Sequence, residues 1–250
     1  MITVVSWNVN GLKSAMKKGF SAFLNKKFDL VLLQETKTDA VSLPIEKTGY
    51  NVYTFPAKRK GYSGTMVLSL EKPMSAIYGI EEKEFDDEGR VLTLEFPKYY
   101  VIDVYFPNSK PDLSRLNFKL DFDEKFLEFC EGLRMKKPLI IGGDFNVAHE
   151  EIDIARPDEN QRSAGFTQEE RDWFSTFLQY GYTDTFRLFV KDGGHYSWWS
   201  YKYNARERNV GWRIDYIVVS NDIRDKVREA GILDKIEGSD HAPVYARIDV

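Results

Sequence analysis

Pro138-Leu139-Ile140-Ile141-Gly142-Gly143-Asp144-Phe145-Asn146-Val147-Ala148-His149 decides the reading of this chain. Leu139, Ile140 and Ile141 form a short apolar run bounded by Pro and Gly, which marks a buried strand. Asp144 and Asn146 then fall just past its C-terminal end, where open α/β sheets place their chemistry. Gly-Asp and Asn are also turn formers, so this stretch alone does not separate a site from a bend. The other strand ends carry that decision.

Upstream, Ile2 to Trp7 reads as a strand running into the tight-turn signal Asn10-Gly11, with Asn8 at its end. Phe20, Phe23, Leu24 and Phe28 follow at helical spacing, the stripe of a helix packed on a sheet. The apolar run Leu30 to Leu33 ends in Gln34-Glu35, which sets a carboxylate at a second strand end. Tyr50 to Phe55 and Gly64 to Leu70 are strand candidates around the basic loop Lys58-Arg59-Lys60. Val91 to Phe96 and Tyr99 to Tyr105 alternate apolar and polar residues like an antiparallel pair, and the second ends in Tyr105-Phe106-Pro107-Asn108. Phe122, Phe126, Phe129, Cys130 and Leu133 mark a long amphipathic helix leading into the Asp144 strand.

Downstream, the polar stretch from Glu150 to Gly165 is too long for an ordinary connection and is read as functional or mobile. Thr167-Gln168-Glu169-Glu170 has the form of a capping box, with Trp173, Phe174, Phe177 and Leu178 as the buried face of the helix it starts. Tyr196 to Arg213 is dense in both aromatic and basic residues, a combination suited to phosphate contact and stacking, or to core packing. Arg213 to Val219 is a strand carrying Asp215 near its start. Pro243 to Ile248 is the last strand, directly preceded by Gly238-Ser239-Asp240-His241.

With 250 residues, 42% hydrophobic and 30% charged, the chain fits a single soluble domain spanning 1–250. No stretch approaches the roughly 18 apolar residues of a membrane span, so no membrane role is expected. Cys130 is the only cysteine, which excludes an intrachain disulfide and a cysteine-built zinc site and points to the cytoplasm. The net charge of −4 argues against non-specific polyanion binding by the chain as a whole. Its distribution is uneven: acidic residues crowd Glu81 to Glu88, while basic ones gather at Lys58 to Lys60 and at Arg206, Arg208 and Arg213.

Asn8, Glu35, Tyr105, Asn108, Asp144, Asn146, Asp215, Asp240 and His241 thus all stand at or beside strand ends. Turn propensity accounts for any one of them but not for Glu35, Tyr105 and His241, which are not favoured turn residues. A cluster rich in carboxylate and amide oxygens, with one His and no Cys, suits a hard cation such as Mg²⁺ better than zinc. Phosphodiester hydrolysis needs a group that manages water, a cation, donors for the extra charge and help for the leaving oxygen, and these residues can supply each.

Seven ordered motifs resemble the exonuclease III family of apurinic/apyrimidinic endonucleases, in its bacterial-type branch, within the exonuclease, endonuclease and phosphatase superfamily. They are Ser6 to Gly11, Leu33 to Lys37, Gly61 to Gly64, Val104 to Asn108, Gly142 to His149, Asn209 to Tyr216 and Gly238 to His241, and the likeness covers essentially the whole chain. The resemblance implies an α/β fold, a four-layered sandwich of two facing mixed β-sheets flanked by helices. It implies a Mg²⁺-dependent cut, with Mn²⁺ as a substitute, on the 5′ side of abasic sites in double-stranded DNA, leaving a 3′-hydroxyl, with 3′ to 5′ exonuclease and 3′-phosphodiesterase activity. By position, Glu35 is the principal metal ligand, with Asp240 and Asn8 beside it. Asp144 manages the water and is positioned by Asn146; His241, paired with Asp215, binds the scissile phosphate; Tyr105 and Asn108 stabilise it or the leaving group. Trp198, Trp212 and Ile214 match the pocket for the flipped abasic sugar, and Asn160 matches a residue at the DNA backbone. Asn10 stands where the animal branch has an Asp ligand, Ser163 where it has an Asn at the DNA backbone, and Trp198 where it commonly has Phe.

The runner-up functions are a phosphatase or phosphodiesterase of the same superfamily and a non-catalytic DNA-binding protein. The filled catalytic positions and the aromatic, basic segment from Trp198 to Arg213 favour a monomeric DNA enzyme. Lys58, Arg59, Lys60, Arg206, Arg208 and Arg213 are expected to border one groove, remote from the acidic Glu81 to Glu88 stretch. Replacing Arg206 or Arg208 by Ala should then make the salt dependence of binding shallower.

Overall fold

The computed structural model describes residues 1–38 and 48–250. Its strands are β1 (Ile2–Asn8), β2 (Leu30–Gln34), β3 (Asn51–Phe55), β4 (Thr65–Ser69), β5 (Ser75–Tyr78), β6 (Val91–Glu95), β7 (Tyr100–Tyr105), β8 (Leu139–Asp144), β9 (Tyr182–Asp184), β10 (Asp215–Ser220), β11 (Val227–Ile232) and β12 (Val244–Ile248). They form two six-stranded sheets, ordered β11-β12-β1-β2-β4-β3 and β5-β6-β7-β8-β10-β9. Each sheet is mixed, with one parallel pair, β1 with β2 and β7 with β8, among antiparallel neighbours.

The period-2 alternation of strand side chains divides the apolar residues between two faces. Val4, Leu32, Val101 and Ile140 meet in the layer between the sheets. Val5, Val31 and Leu33 face outward under Phe20, Phe23 and Leu24. Leu139 and Ile141 face outward on the second sheet, under Phe122, Phe126, Phe174 and Phe177. The central strands are therefore buried on both faces, which is why they read as unbroken apolar runs rather than alternating ones. Helices over both outer faces complete a four-layered α/β sandwich.

The helix Leu116–Arg134 carries the expected stripe, and Gln168–Gln179 starts in the expected capping box: the Glu170 amide donates to Thr167 Oγ1 at 3.3 Å and the Thr167 amide to Glu170 Oε2 at 3.2 Å. The single helix expected around Phe20 is instead two short ones, Leu12–Lys17 and Phe20–Leu24, broken at Gly19, whose φ of 102° is left-handed. The stretch from Glu150 to Gly165 holds a 3₁₀ turn at Glu151–Asp153 and a helical turn at Pro157–Asn160. Strands β5, β9 and β11 lay outside the sequence expectation. Among the described residues no helix is long and apolar enough to cross a membrane.

Register brings the predicted residues to one edge. The parallel pairs align Asn8 with Gln34 and Tyr105 with Asp144, so both pairs end on the same side. β10 runs antiparallel to β8 and aligns its first residue, Asp215, with Asp144. β12 runs antiparallel to β1, pairing Ser6 with Val244, so the residues just before β12 lie beside Asn8.

Candidate active site

Glu35 follows β2 directly, with a left-handed φ of 49°, and Asn146 has a φ of 50°. Both are turned off their strands by conformations that L residues adopt only where the surroundings fix them. Glu35 Oε1 accepts from Asn8 Nδ2 and from the Tyr105 hydroxyl, each at 2.9 Å, while Lys37 Nζ lies 2.8 Å from Oε2. Burial works against the Glu35 anion, but Lys37 and the Asn8 amide outweigh it and hold the carboxyl below its usual range. The Tyr105 hydroxyl is pushed far above its usual range by burial and by the Glu35 charge, so it is a neutral donor.

Asp144 is 1% exposed and accepts from Asn8 Nδ2 at Oδ2 and from the Asn146 amide at Oδ1, both at 2.9 Å. Asn146 donates to the Phe106 carbonyl and accepts from Asn108 Nδ2, each again at 2.9 Å, which fixes its orientation. Burial and the neighbouring Asp215 charge push the Asp144 carboxyl up to about 7, against His241 and the hydrogen bonds it receives. His241 Nδ1 donates to Asp215 Oδ2 at 2.9 Å, and its Nε2 stands 3.9 Å from Asp144 Oδ2. Burial disfavours its charge, but Asp215 foremost, then Asp144 and Asp240, raise it to about 10. The ring is accordingly an imidazolium at neutral pH. Ser197 donates to Asp215 Oδ2 at 2.6 Å while its oxygen accepts from the amides of Ile214 and Asp215, anchoring the carboxylate behind the ring.

One ligand atom from each of Glu35, Asp144 and His241 lies within 4.8 Å of the others. Carboxylate oxygens without sulfur suit a hard divalent cation, whereas the His241 imidazolium has no lone pair to offer one. Asn8 and Asp240, the ligands expected beside Glu35, stand differently around this group. Asn8 turns its amide nitrogen to both carboxylates, and its oxygen accepts from the Asn10 amide at 3.0 Å, so it holds the carboxylates together as a donor. Asp240 lies outside the close group, accepting from Asn10 Nδ2 at 2.9 Å and Trp198 Nε1 at 3.2 Å.

A cleft of about 530 Å³ opens over this group. Trp198, Trp212 and Ile214 line it as expected, the indoles meeting edge to face with centroids 6.0 Å apart. Arg162 and Ser163 complete its rim. A second cleft, of about 430 Å³, lies across the same two indoles and takes in Asn160 and Arg208. Lys58, Arg59 and Lys60 are exposed on a loop tied to the Glu35 strand end, since the Lys37 amide donates to the Ser63 carbonyl at 2.9 Å.

Two arginines depart from the expected basic groove. Arg213 is 1% exposed, with Nε 2.7 Å from Asp153 and Nη1 2.8 Å from Asp184, so it is an internal cation. Arg206 stacks 4.7 Å from the Trp199 ring and donates to the carbonyls of Ser239, Asp234 and Ile236. The acidic stretch is not remote either: Asp87 lies 2.6 Å from Lys58, and Glu88 pairs with Arg90 and Arg115. The roles of Lys37, Arg162 and Ser197 were not read from sequence, because Lys, Arg and Ser are ordinary surface and turn residues.

Residues 5–241 match the family model described as Endonuclease/Exonuclease/phosphatase family, and the chain belongs to that family. It is 45% identical over 250 residues to an exodeoxyribonuclease of Bacillus subtilis, covering 99% of both chains. It is 40% identical to the DNA repair nuclease APEX1 of Danio rerio, over 96% of this chain and 80% of that one. An AP endonuclease of Archaeoglobus fulgidus superimposes with a TM-score of 0.91 at 27% identity over the full length of both chains. Within the family the chain is a nuclease of the DNA repair group.

Proposed function

We propose that this protein hydrolyses the phosphodiester on the 5′ side of abasic sites in double-stranded DNA, leaving a 3′-hydroxyl, and that the same site trims and unblocks 3′ ends. The observation that carries the reading is the close group of Glu35, Asp144 and His241 at the floor of a cleft walled by two indoles. A group that holds a hard cation beside a general base serves phosphoryl transfer. Aromatic walls suit an extruded sugar, and a nucleotide without its base is the least costly to extrude. The named relatives include both an exodeoxyribonuclease and a DNA repair nuclease.

Mg²⁺, with Mn²⁺ as a substitute, would be held by Glu35 with Asp240 beside it and would neutralise charge on the phosphoryl oxygens. Asp144, poised near neutrality, takes the proton as the water oxygen bonds to phosphorus and the P–O3′ bond breaks. The His241 imidazolium, held by Asp215 through Nδ1, presents Nε2–H to a phosphate oxygen. Asn108 donates to the phosphate or to the departing 3′-oxygen without adding charge, and Tyr105 joins it where its hydroxyl turns from Glu35 to the substrate. Lys58, Arg59, Lys60, Asn160 and Arg208 contact the DNA backbone. The whole chain, 1–250, acts as one catalytic domain, monomeric and cytoplasmic.

A comparison on one duplex of an abasic site, a blocked 3′ end, a recessed 3′ end and a uracil tests the proposal, with and without chelator. Incision at the abasic site should be fastest and should require the cation. A soluble phosphomonoester turned over faster than any DNA would instead make the protein a small-molecule phosphatase. Glu35→Ala should lower cation affinity and rate together; an unchanged Mg²⁺ dependence would remove Glu35 from the metal site.

A further inference from the structure

Aliphatic and aromatic side chains fill the layer between the sheets around one group of polar residues. Asp103 lies on β7 between Leu92 of β6 and Gly142 of β8, and it is completely buried. The sheets come close here, since a Cβ on Gly142 would stand 2.6 Å from Leu32 Cδ1 and 3.3 Å from Ser6 Cβ. Across the gap, Gln34 of β2 donates both amide hydrogens, at 3.0 Å to Ser6 Oγ and at 2.6 Å to Asp103 Oδ1. Two buried atoms of this pair, Asp103 Oδ2 and Gln34 Oε1, have no hydrogen-bond partner among the described residues. Both are acceptors while Asp103 is ionised, and leaving buried polar atoms unmatched is costly. A single proton on Asp103 supplies the missing donor.

We infer that Asp103 is carried as the neutral acid, paired at two points with the Gln34 amide, and that this pair is a positioning device for Glu35. The amide N–H donates to Asp103 Oδ1, and the acid O–H donates to Gln34 Oε1. Burial pushes the Asp103 carboxyl well above its ordinary range, with only the Gln34 side chain and nearby backbone amides of Leu33 and Met66 opposing it. At this end of the surrounding elements the ionisable groups are Tyr105 farther along β7, Glu35 after β2, Asp144 at the end of β8 and Arg90 just before β6, while Glu95 of β6 and Tyr100 of β7 pair at the other end. Arg90 is directed at Tyr105, 4.8 Å from its ring and 2.8 Å from its carbonyl oxygen. On this face β1 brings Ser6 and Asn8, and β4 brings Thr65 and Val67, none of them ionisable.

Gln34 immediately precedes Glu35, and its carbonyl accepts from the Val9 amide at 3.1 Å. With its side chain clamped to the facing sheet, Gln34 fixes the point from which the chain turns into the left-handed Glu35. Asp103 and Tyr105, two apart, share one face of β7. One reaches across to Gln34, and the other donates to Glu35 itself. β7 thereby locks both the residue before the carboxylate and the carboxylate.

The proposal rests, for its consequence, on Glu35 being the metal anchor, and two substitutions separate its parts. Asp103→Asn can place an N–H where the acid O–H sits, whereas Asp103→Ala removes both contacts. The infrared difference spectrum of wild type minus Asp103→Asn at pH 7 should show the C=O stretch of a protonated carboxylic acid. Carboxylate bands alone would overturn the neutral acid, whatever the protein binds. In a Mn²⁺ titration followed by electron paramagnetic resonance, Asp103→Ala should bind roughly 10- to 100-fold more weakly, as for other residues that orient metal ligands. Asp103→Asn should match wild type, and KM for DNA should be unchanged in both. Asp103→Asn as weak as Asp103→Ala, or Asp103→Ala unchanged, would overturn the positioning role. If Asp103→Ala does not fold, the spectrum and the Asp103→Asn titration still decide. No Mn²⁺ binding by wild type would instead fault the metal reading, leaving the infrared result to stand alone. Because the folded pKa is raised, the contribution of Asp103 to stability is full below its unfolded pKa and fades as pH rises through the folded value. Asp103→Asn should therefore gain on wild type in alkaline denaturation; the opposite trend would count against the neutral acid.

Discussion

Asp144 and His241 are both buried and stand 3.9 Å apart, and each shifts the other's protonation. Asp144→Asn keeps the shape but removes the base, and its single oxygen can accept from only one of Asn8 Nδ2 and the Asn146 amide. It should bind abasic DNA nearly normally while losing roughly 10²- to 10⁴-fold in single-turnover rate. A variant that binds weakly yet reacts at the wild-type rate would make Asp144 a DNA-positioning residue. Asp215 is the leading cause of the raised His241 pKa, so Asp215→Asn should move the alkaline limb of the rate profile from near 10 toward the ordinary value of about 6.5. The sign follows from His241 acting as a cation, present below its folded pKa and lost as pH rises through it. An alkaline limb that stays in place would show that another group controls it. At this scale the sequence was informative wherever residue type and position disagreed. Glu35, Tyr105 and His241 are poor turn formers at strand ends, and their side chains do meet. Asn8 was visible as a member, but which end of its amide faces the carboxylates is set by the Asn10 amide, a three-dimensional fact.

Elements buried on both faces were the most legible, because their apolar runs leave little alternative. β5, β9 and β11 each lie at a sheet edge, are short or half-exposed, and carry no clear period, β11 being further disturbed by an irregularity between Val227 and Glu229. The same limit hid the order within the stretch after β8. Its 3₁₀ turn is pinned by Asp153, which is completely buried and accepts from Arg213 Nε at 2.7 Å and from Arg187. The Arg213 amide also donates to the Asp153 carbonyl at 2.7 Å, and Ile154 bridges to Trp212. That turn thus supports one wall of the cleft. Burial opposes the Asp153 anion, but Arg213 outweighs it and lowers its pKa. Asp153→Ala would strand part of a buried guanidinium and should cost about 3–5 kcal/mol in denaturant unfolding. In wild type this contribution is present above the unfolded pKa of about 3.9 and is lost as pH falls through the depressed folded value. A loss in Asp153→Ala below about 1 kcal/mol would mean that Asp184 alone satisfies Arg213.

For the molecule as a whole, a net charge of −4 coexists with a nuclease's need to hold a polyanion. Distance cannot reconcile the two, because Asp87 touches Lys58 and the acidic stretch borders the basic loop. The phosphate-facing cations must then be those without such engagements nearby. Screening over about 8 Å at physiological salt leaves each exposed charge to act locally. Lys60 and Arg208 are exposed, and Arg208 borders the second cleft, whereas Arg206 is held by three carbonyls and the Trp199 ring. Sequence could not distinguish these arginines, since the same aromatic, basic segment supplies both surface and internal positions. Replacing Lys60 or Arg208 by Ala should make the log–log salt slope of DNA binding shallower by up to about one, with stability unchanged. Lys58→Ala should change the slope less, because Asp87 already offsets that charge. Arg206→Ala should leave the slope as it is and lower the melting temperature, since the 234–239 segment leading to Asp240 loses its three tethers. If Arg206→Ala flattened the slope as much as Arg208→Ala while folding stability held, the guanidinium would be reaching phosphate in the complex, and the carbonyl contacts would belong only to the free protein.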